Sequence, residues 1–344
     1  LENAYLKVRL DPKTGWIAGL YDKKGRREIL SGPGNVLEAI TDEPESMSAW
    51  ELGLKGEPVK LGGSGAVAVR VVESGPVRGV IRITTHYGGS VFEQDLILYA
   101  GLPRLDCRMK IDWQERNLMI KAAFPLNLKS GQAEFEIPFG SIGRPADGAE
   151  VPALRWIDFS DPASGWGASL LNDCKYGFDV KGATLRMSIV HGATNPDPEA
   201  DRGRHELAYA LYPHAGTWRE ADTLRRGYEF NNALIARTAM AHKGRLPAER
   251  SFVACSPAGV VLSSMKMESG YNSRNMIVRL YEAWGKKTEA KISFPWPVQF
   301  EETDLIERPI AGAAAGVSSG KDNEIAVPMG PYEIKTLKVV RKPS

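Results

Sequence analysis

Apolar and polar positions alternate along most of this chain with the two-residue period of half-buried strands. Tyr5 to Leu10 alternates and runs into Asp11-Pro12-Lys13-Thr14-Gly15, a turn signal. Trp16 to Tyr21 reads as the returning strand, ended by Asp22-Lys23-Lys24-Gly25. The pattern continues over Ala66 to Val72, Val77 to Tyr87, Val91 to Tyr99 and Arg104 to Trp113. The 35 glycines and 22 prolines fall between such runs, where turns and sheet edges tolerate them and central strands do not. Only Glu220 to Tyr228 reads as a helix, a short one. Many strands with turn signals between them predict large antiparallel sandwiches.

A chain of 344 residues exceeds one ordinary core and predicts two or three packed units. Lys243-Gly244-Arg245-Leu246-Pro247 precedes a fresh set of short strands: Val260 to Met265, Met276 to Tyr281, Glu289 to Phe294 and Glu333 to Val340. They predict a small terminal sandwich over residues 249–344, with residues 1–248 forming the larger unit. Ala311 to Gly320, rich in Ala, Gly and Ser, reads as a flexible loop within the smaller one.

The 44 basic and 42 acidic residues leave a formal charge of +2, interspersed along the chain, which argues against a nucleic-acid or membrane-surface partner. No apolar run approaches the ~20 residues of a membrane helix, and the first residues lack the layout of a signal peptide. Cys107, Cys174 and Cys255 are far apart and form no CxxC or Cys/His cluster. They read as small buried apolar side chains, and free thiols fit a reducing, cytoplasmic compartment. None of the five histidines pairs as HxH or HxxxH, so the chain shows no motif for a metal site.

Leu170-Leu171-Asn172-Asp173-Cys174-Lys175-Tyr176-Gly177 belongs to an ordered set of segments that resembles the region following the catalytic barrel in glycoside hydrolase family 38, the α-mannosidases. Leu1-Glu2-Asn3, Leu10 to Gly15 and Tyr21-Asp22-Lys23 resemble the family's opening hairpin. Phe135 to Gly140 with Arg144-Pro145, and then Glu150 to Trp156, are similar to its next blocks. Leu170 to Gly177 is the most distinctive, followed by Asn195-Pro196-Asp197-Pro198 and Asp201 to His205. Tyr209 to His214, Tyr228 to Asn232, Val278 to Glu282 and Asp304 to Arg308 complete the series, which is most similar to the bacterial and cytosolic-type branch.

The resemblance implies an all-β fold: a large antiparallel supersandwich of the galactose-mutarotase-like kind, then a small immunoglobulin-like sandwich. It implies the non-catalytic C-terminal portion of a retaining exo-α-mannosidase, with its own N-terminal catalytic domain as partner and a terminal α-mannoside as substrate. Retention requires two carboxyl groups about 5 Å apart, and the family's zinc is held by His and Asp; both belong to the missing catalytic domain. No catalytic residue and no cofactor are expected in this chain, and the reading leaves room for a homo-oligomer.

Loops of the family's C-terminal region reach the sugar pocket, and polar loops on rigid β scaffolds are where binding groups sit. Arg202 with Gly203 is the first candidate for such a reach, because a guanidinium forks onto hydroxyls or a carboxylate. Asp201, Arg204 and His205 rank after it, with Asn172 and Lys175 of the Asn172 to Gly177 turn as further candidates. The plainer reading makes both segments turns stapled to their own backbone. Two other functions compete. A free-standing mutarotase or epimerase would need His86 or His191 to meet a Glu across a cleft. A stand-alone carbohydrate-binding module would need exposed aromatics, for which Trp156, Trp166, Trp218 and Trp284 are candidates, whereas Tyr209 to His214 reads mainly as core. A face that docks a further domain would leave an apolar patch exposed.

Overall fold

The computed structural model describes residues 1–63, 65–270, 275–312 and 322–342. Two compact units emerge: Leu1–Glu136 with Ile142–Ala233, and Leu234–Ser344 with Ile137–Ser141. Among the described residues the regular elements are strands apart from one short helix, and the strand pairs whose register is defined are antiparallel.

In the first unit a hairpin of Leu6–Leu10 and Ile17–Asp22, extended by Arg27–Glu28, accompanies two large sheets. The six-stranded sheet runs, from edge to edge, Val151–Pro152, Gly177–Lys181, Thr184–His191, Leu118–Pro125, Val36–Asp42, Leu54–Lys60. The nine-stranded sheet runs Gly140–Arg144, Gln132–Ile137, Trp156–Asp161, Trp166–Asn172, Gly203–Ala215, Leu105–Trp113, Ser90–Tyr99, Arg78–Tyr87, Val67–Ser74. The alternation read from the sequence is the cause. On Leu105–Trp113 the side chains of Cys107, Met109, Ile111 and Trp113 are buried while Arg108, Lys110 and Asp112 point to solvent. Ile120, Ala122 and Phe124 of the other sheet join the same apolar core. This is the large antiparallel sandwich that the sequence predicted. The helix is Thr223–Asn231, three residues later than the pattern suggested, because Asp222 in the left-handed conformation (φ 60°) ends the preceding turn there.

Lys121 is buried on the six-stranded sheet between the carboxylates of Asp179 and Glu150, and Asp179 also accepts from Arg186 Nε at 2.8 Å. An ammonium removed from water requires such partners. The nine-stranded sheet carries a second polar group under the helix: Asp158 Oδ2 accepts from His214 Nε2 (2.7 Å) and Ser169 Oγ (2.8 Å). Tyr209, Tyr212 and His214 are buried, as expected of core residues, on a stretch of strand covered on both faces.

In the second unit a sheet of Ala254–Ser256, Thr288–Ser293 and Glu324–Met329 accompanies one of Val260–Met267, Met276–Glu282, Ile334–Arg341 and Val298–Thr303. Val278, Leu280, Ile292, Val327, Leu337 and Val339 form its core. Three plus four strands is the strand number of a constant-type immunoglobulin sandwich. Glu282 is buried and accepts three backbone N–H groups, of Trp284 (2.8 Å), Lys286 (3.0 Å) and Tyr332 (3.0 Å), which joins two turns. Two of its strands, Val298–Thr303 and Glu324–Met329, carry acidic or proline positions that hid them from the pattern. The loop expected over Ala311 to Gly320 lies, from residue 313 on, outside the described residues. No regular element forms between Asn231 and Ala254. Among the described residues no helix is long and apolar enough to cross a membrane.

Cys107 is buried and Cys255 half-buried, but Cys174 is exposed, a correction to the expectation that all three pack inward. It follows Asn172, the last residue of its strand, so no partner strand covers it.

Candidate functional site

The strand Gly203–Ala215 starts where Leu105–Trp113 ends, with Gly203 opposite Trp113. That register gathers the turns around residues 88–90, 114–117, 172–177 and 192–203 at one end of the nine-stranded sheet. Gly203 has φ +123°, a backbone that L side chains rarely adopt, and a Cβ there would meet nothing. Conformation therefore selects glycine, and it leaves space above the backbone.

Within this loop Arg202 Nη1 donates to Glu199 Oε2 (2.5 Å) and Nη2 to Gln114 Oε1 (3.1 Å). Glu199 also receives Arg116, whose Nε donates to the Pro198 carbonyl at 3.1 Å. The Arg202 side chain remains 36% exposed, so the guanidinium is oriented yet within reach of solvent. His205 Nε2 donates to the Asp201 carbonyl at 2.6 Å, which fixes the ring against the start of the strand. Asp201 is half-buried, and Arg204 is exposed opposite Asp112.

Asn172 is different. It is fully buried; Nδ2 donates to the Leu154 carbonyl (2.6 Å) and Oδ1 accepts the Lys175 N–H (2.6 Å). Its backbone N–H donates to Arg155, whose own N–H (2.7 Å) and guanidinium bind the buried Glu136. One side-chain polar atom of Asn172 thus closes the turn and the other ties it to the segment at Leu154, and Lys175 is half-buried beside it. Asp173 Oδ1 accepts the Ala208 N–H at 3.0 Å. Ala208 is three residues along the strand from His205, a spacing of about 10 Å. The structure therefore brings the two predicted segments to the same end of the sheet as neighbours.

Sequence reasoning missed a further loop at this end. Residues 43–53 leave the strand Val36–Asp42 and are closed at the neck by Asp42, whose Oδ1 accepts the Gly53 N–H (2.6 Å) and whose Oδ2 meets His191 Nε2. Ser48 Oγ accepts the N–H groups of Thr194 and Asn195, both at 2.9 Å, and joins this loop to the candidate one. The pinned backbone presents Trp50 at 70% exposure. The available signal was a tryptophan inside an acidic, Pro- and Ser-containing segment. Of the four tryptophans suggested as platforms, Trp156, Trp166 and Trp218 are buried, which corrects that expectation; Trp284 is half-buried and packs over Gly259. The first two lie on strands facing apolar layers, and Trp218 stacks on Trp156 at 5.0 Å between ring centroids. His191 meets Asp42 rather than a Glu. Among the described residues no three His, Cys, Asp or Glu side chains are grouped so as to hold a metal.

Fold and loops together define a two-unit, predominantly β-sandwich scaffold that carries oriented polar groups at the end of its larger sheet. The chain belongs to glycosyl hydrolase family 38: residues 1–199 match the family 38 C-terminal domain and residues 259–337 its C-terminal beta sandwich domain. It is 34% identical over 363 residues to alpha-mannosidase 2C1 of Homo sapiens, an alignment covering 100% of this chain and 34% of that protein. Against alpha-mannosidase G of Dictyostelium discoideum the identity is 27% over 364 residues, covering 99% of this chain and 32% of the relative. The chain thus spans about a third of the length of these curated relatives. The crystal structure of an alpha-mannosidase from Enterococcus faecalis has the same fold over 98% of this chain and 42% of its own, with a TM-score of 0.80 at 14% identity.

Proposed function

We propose that this chain is the non-catalytic C-terminal portion of a retaining exo-α-mannosidase, and that it completes the sugar pocket and stabilises the catalytic domain. The alignment of the whole chain with about a third of proteins named alpha-mannosidases carries the reading. A catalytic domain elsewhere in the polypeptide supplies the carboxyl pair and holds the zinc, with His and Asp as its ligands. The pocket-completing unit ends at Ala233, and the terminal sandwich takes up its regular strands at Ala254, after a connecting segment without regular elements. Three cysteines without a disulfide among them suit a cytoplasmic, reducing setting.

Arg202 is the group we assign to the pocket. Glu199 and Gln114 orient it, and its remaining exposure lets it donate to a sugar hydroxyl or to a carboxylate of the catalytic domain. Asp201, Arg204 and His205 flank it, while Asn172 and Lys175 support the neighbouring turn.

The coding sequence upstream of Leu1 provides the first test, and p-nitrophenyl α-mannoside the second. The polypeptide encoded in frame is expected to hydrolyse this substrate and the 344-residue chain alone to leave it intact. Arg202→Ala in the longer polypeptide should lower kcat/KM by about 10- to 100-fold, the loss of one charge-assisted hydrogen bond. A start codon directly before Leu1, or hydrolysis by the chain alone, would refute the assignment.

A further inference from the structure

One lateral side of the first unit is bare. The six-stranded sheet ends in Leu54–Lys60 and the nine-stranded sheet in Val67–Ser74. These strands are consecutive, joined by residues 61–66, so both sheets terminate along the same stretch of chain. All but one residue of Leu54–Lys60 are exposed. Val59 is 51% exposed, Val71 66%, Val72 45%, and Val77, on the turn that follows, 69%. Branched apolar side chains left in water along adjoining edges mark a surface that something covers.

The backbone of these edges is not suited to an added strand. Gly56, at φ +73°, and Pro58 interrupt Leu54–Lys60, and a bulge between Val71 and Glu73 breaks the register of the other edge. Such devices blunt the row of free N–H and C=O groups. What remains available is side-chain packing. The amino end of the chain reaches this same side: the Leu1 side chain lies against Gly79, and Asn3, Pro76, Arg78 and Leu98 bound a cavity of about 310 Å³ next to the Val77 turn. Arg78, in a forked pair with Glu73 (2.9 and 3.0 Å), forms a polar rim.

The matching families are C-terminal ones, and relatives aligned over the whole chain are about three times its length. In such a polypeptide the preceding portion enters the fold beside the Val77 turn. We infer that the edge made by Leu54–Lys60, Val67–Ser74 and the turn at residues 75–77 docks the portion of a family 38 polypeptide that precedes the C-terminal region, through apolar side chains and not by strand addition. This inference rests on the reading under Proposed function and names the contact surface.

Amide hydrogen exchange compares the 344-residue chain with the longer polypeptide encoded around it. Amides of residues 54–60 and 67–77 are expected to exchange at least about tenfold more slowly in the longer form. The double variant Val71→Asp/Val77→Asp should restore fast exchange there, yet leave the melting temperature of the 344-residue chain unchanged, because both side chains are exposed in it. Equal exchange in the two forms, or protection that survives the double variant, would overturn the docking face. If the longer form still hydrolyses the α-mannoside, the proposed function stands without it. A coding frame that starts at Leu1 would overturn both.

Discussion

Two segments at the same end of the larger sheet use similar residues in opposite ways. In the turn from Asn172 to Gly177 the amide of Asn172 is buried, and both of its polar atoms are consumed by the Leu154 carbonyl and the Lys175 N–H. In the loop from Asn195 to His205 Arg202 binds Glu199 of the same loop, and the other bonds reach neighbouring loops: Arg202 to Gln114, Arg116 to Pro198, and Ser48 to Asn195. The guanidinium stays partly in water. The first segment is a strut and the second a displayed surface, a distinction that residue type does not reveal. Burial decides it, because a buried amide must find its partners inside the protein and an exposed one need not.

Substitutions should separate the two. The largest loss is expected from Glu136→Ala beneath the strut, since it strips the Arg155 guanidinium and N–H of their acceptor. A half-broken buried pair costs about 3–5 kcal/mol, read as a fall in the urea midpoint of the isolated chain. Asn172→Ala should follow at about 2–3 kcal/mol, from an unsatisfied carbonyl and N–H. A midpoint unchanged in Asn172→Ala would erase the contrast between the segments.

Cys174 offers a probe of the turn in the intact fold. Neighbouring atoms that displace water from the exposed Cys174, with Asp173 adding to them, push its thiol up to about 11, and full burial pushes that of Cys107 up to about 12. Only the thiolate reacts, so labelling of Cys174 should accelerate about tenfold per pH unit from pH 7 up to that value. Cys107 should stay unlabelled until the chain unfolds. Fast labelling of Cys174 at pH 7 would mean that the turn opens. The smallest effect belongs to the displayed loop: Arg202→Ala should change stability by less than about 1 kcal/mol, the usual yield of an exposed pair. A larger loss would make Arg202 a strut as well and weaken its assignment to the pocket.

How much of this was legible beforehand differed between elements. Arg104 to Trp113 was readable because one face of its strand is core and the other water, which forces a strict alternation. Leu54–Lys60 was not, since it is exposed on both faces and carries no alternation at all. Trp156–Asp161 and Trp166–Asn172, buried on both faces, equally lack it, and their tryptophans looked like platforms for the same reason. Among the candidate residues, the sequence pointed to the Asp201 to His205 segment and to Asn172, but not to Trp50 or to the pair of Asp42 and His191, 149 positions apart.

The sequence alone therefore determined the all-β class, the presence of a smaller terminal sandwich and the family, because period-two burial and an ordered series of local motifs are written in neighbouring residues. The tertiary structure alone decided which polar groups are spent inside and which are displayed. It decided also that five turns converge at one end of a sheet and that two sheet edges share a bare side. Those facts depend on strand order and register, which bring together residues whose positions in the chain give no sign that they will meet.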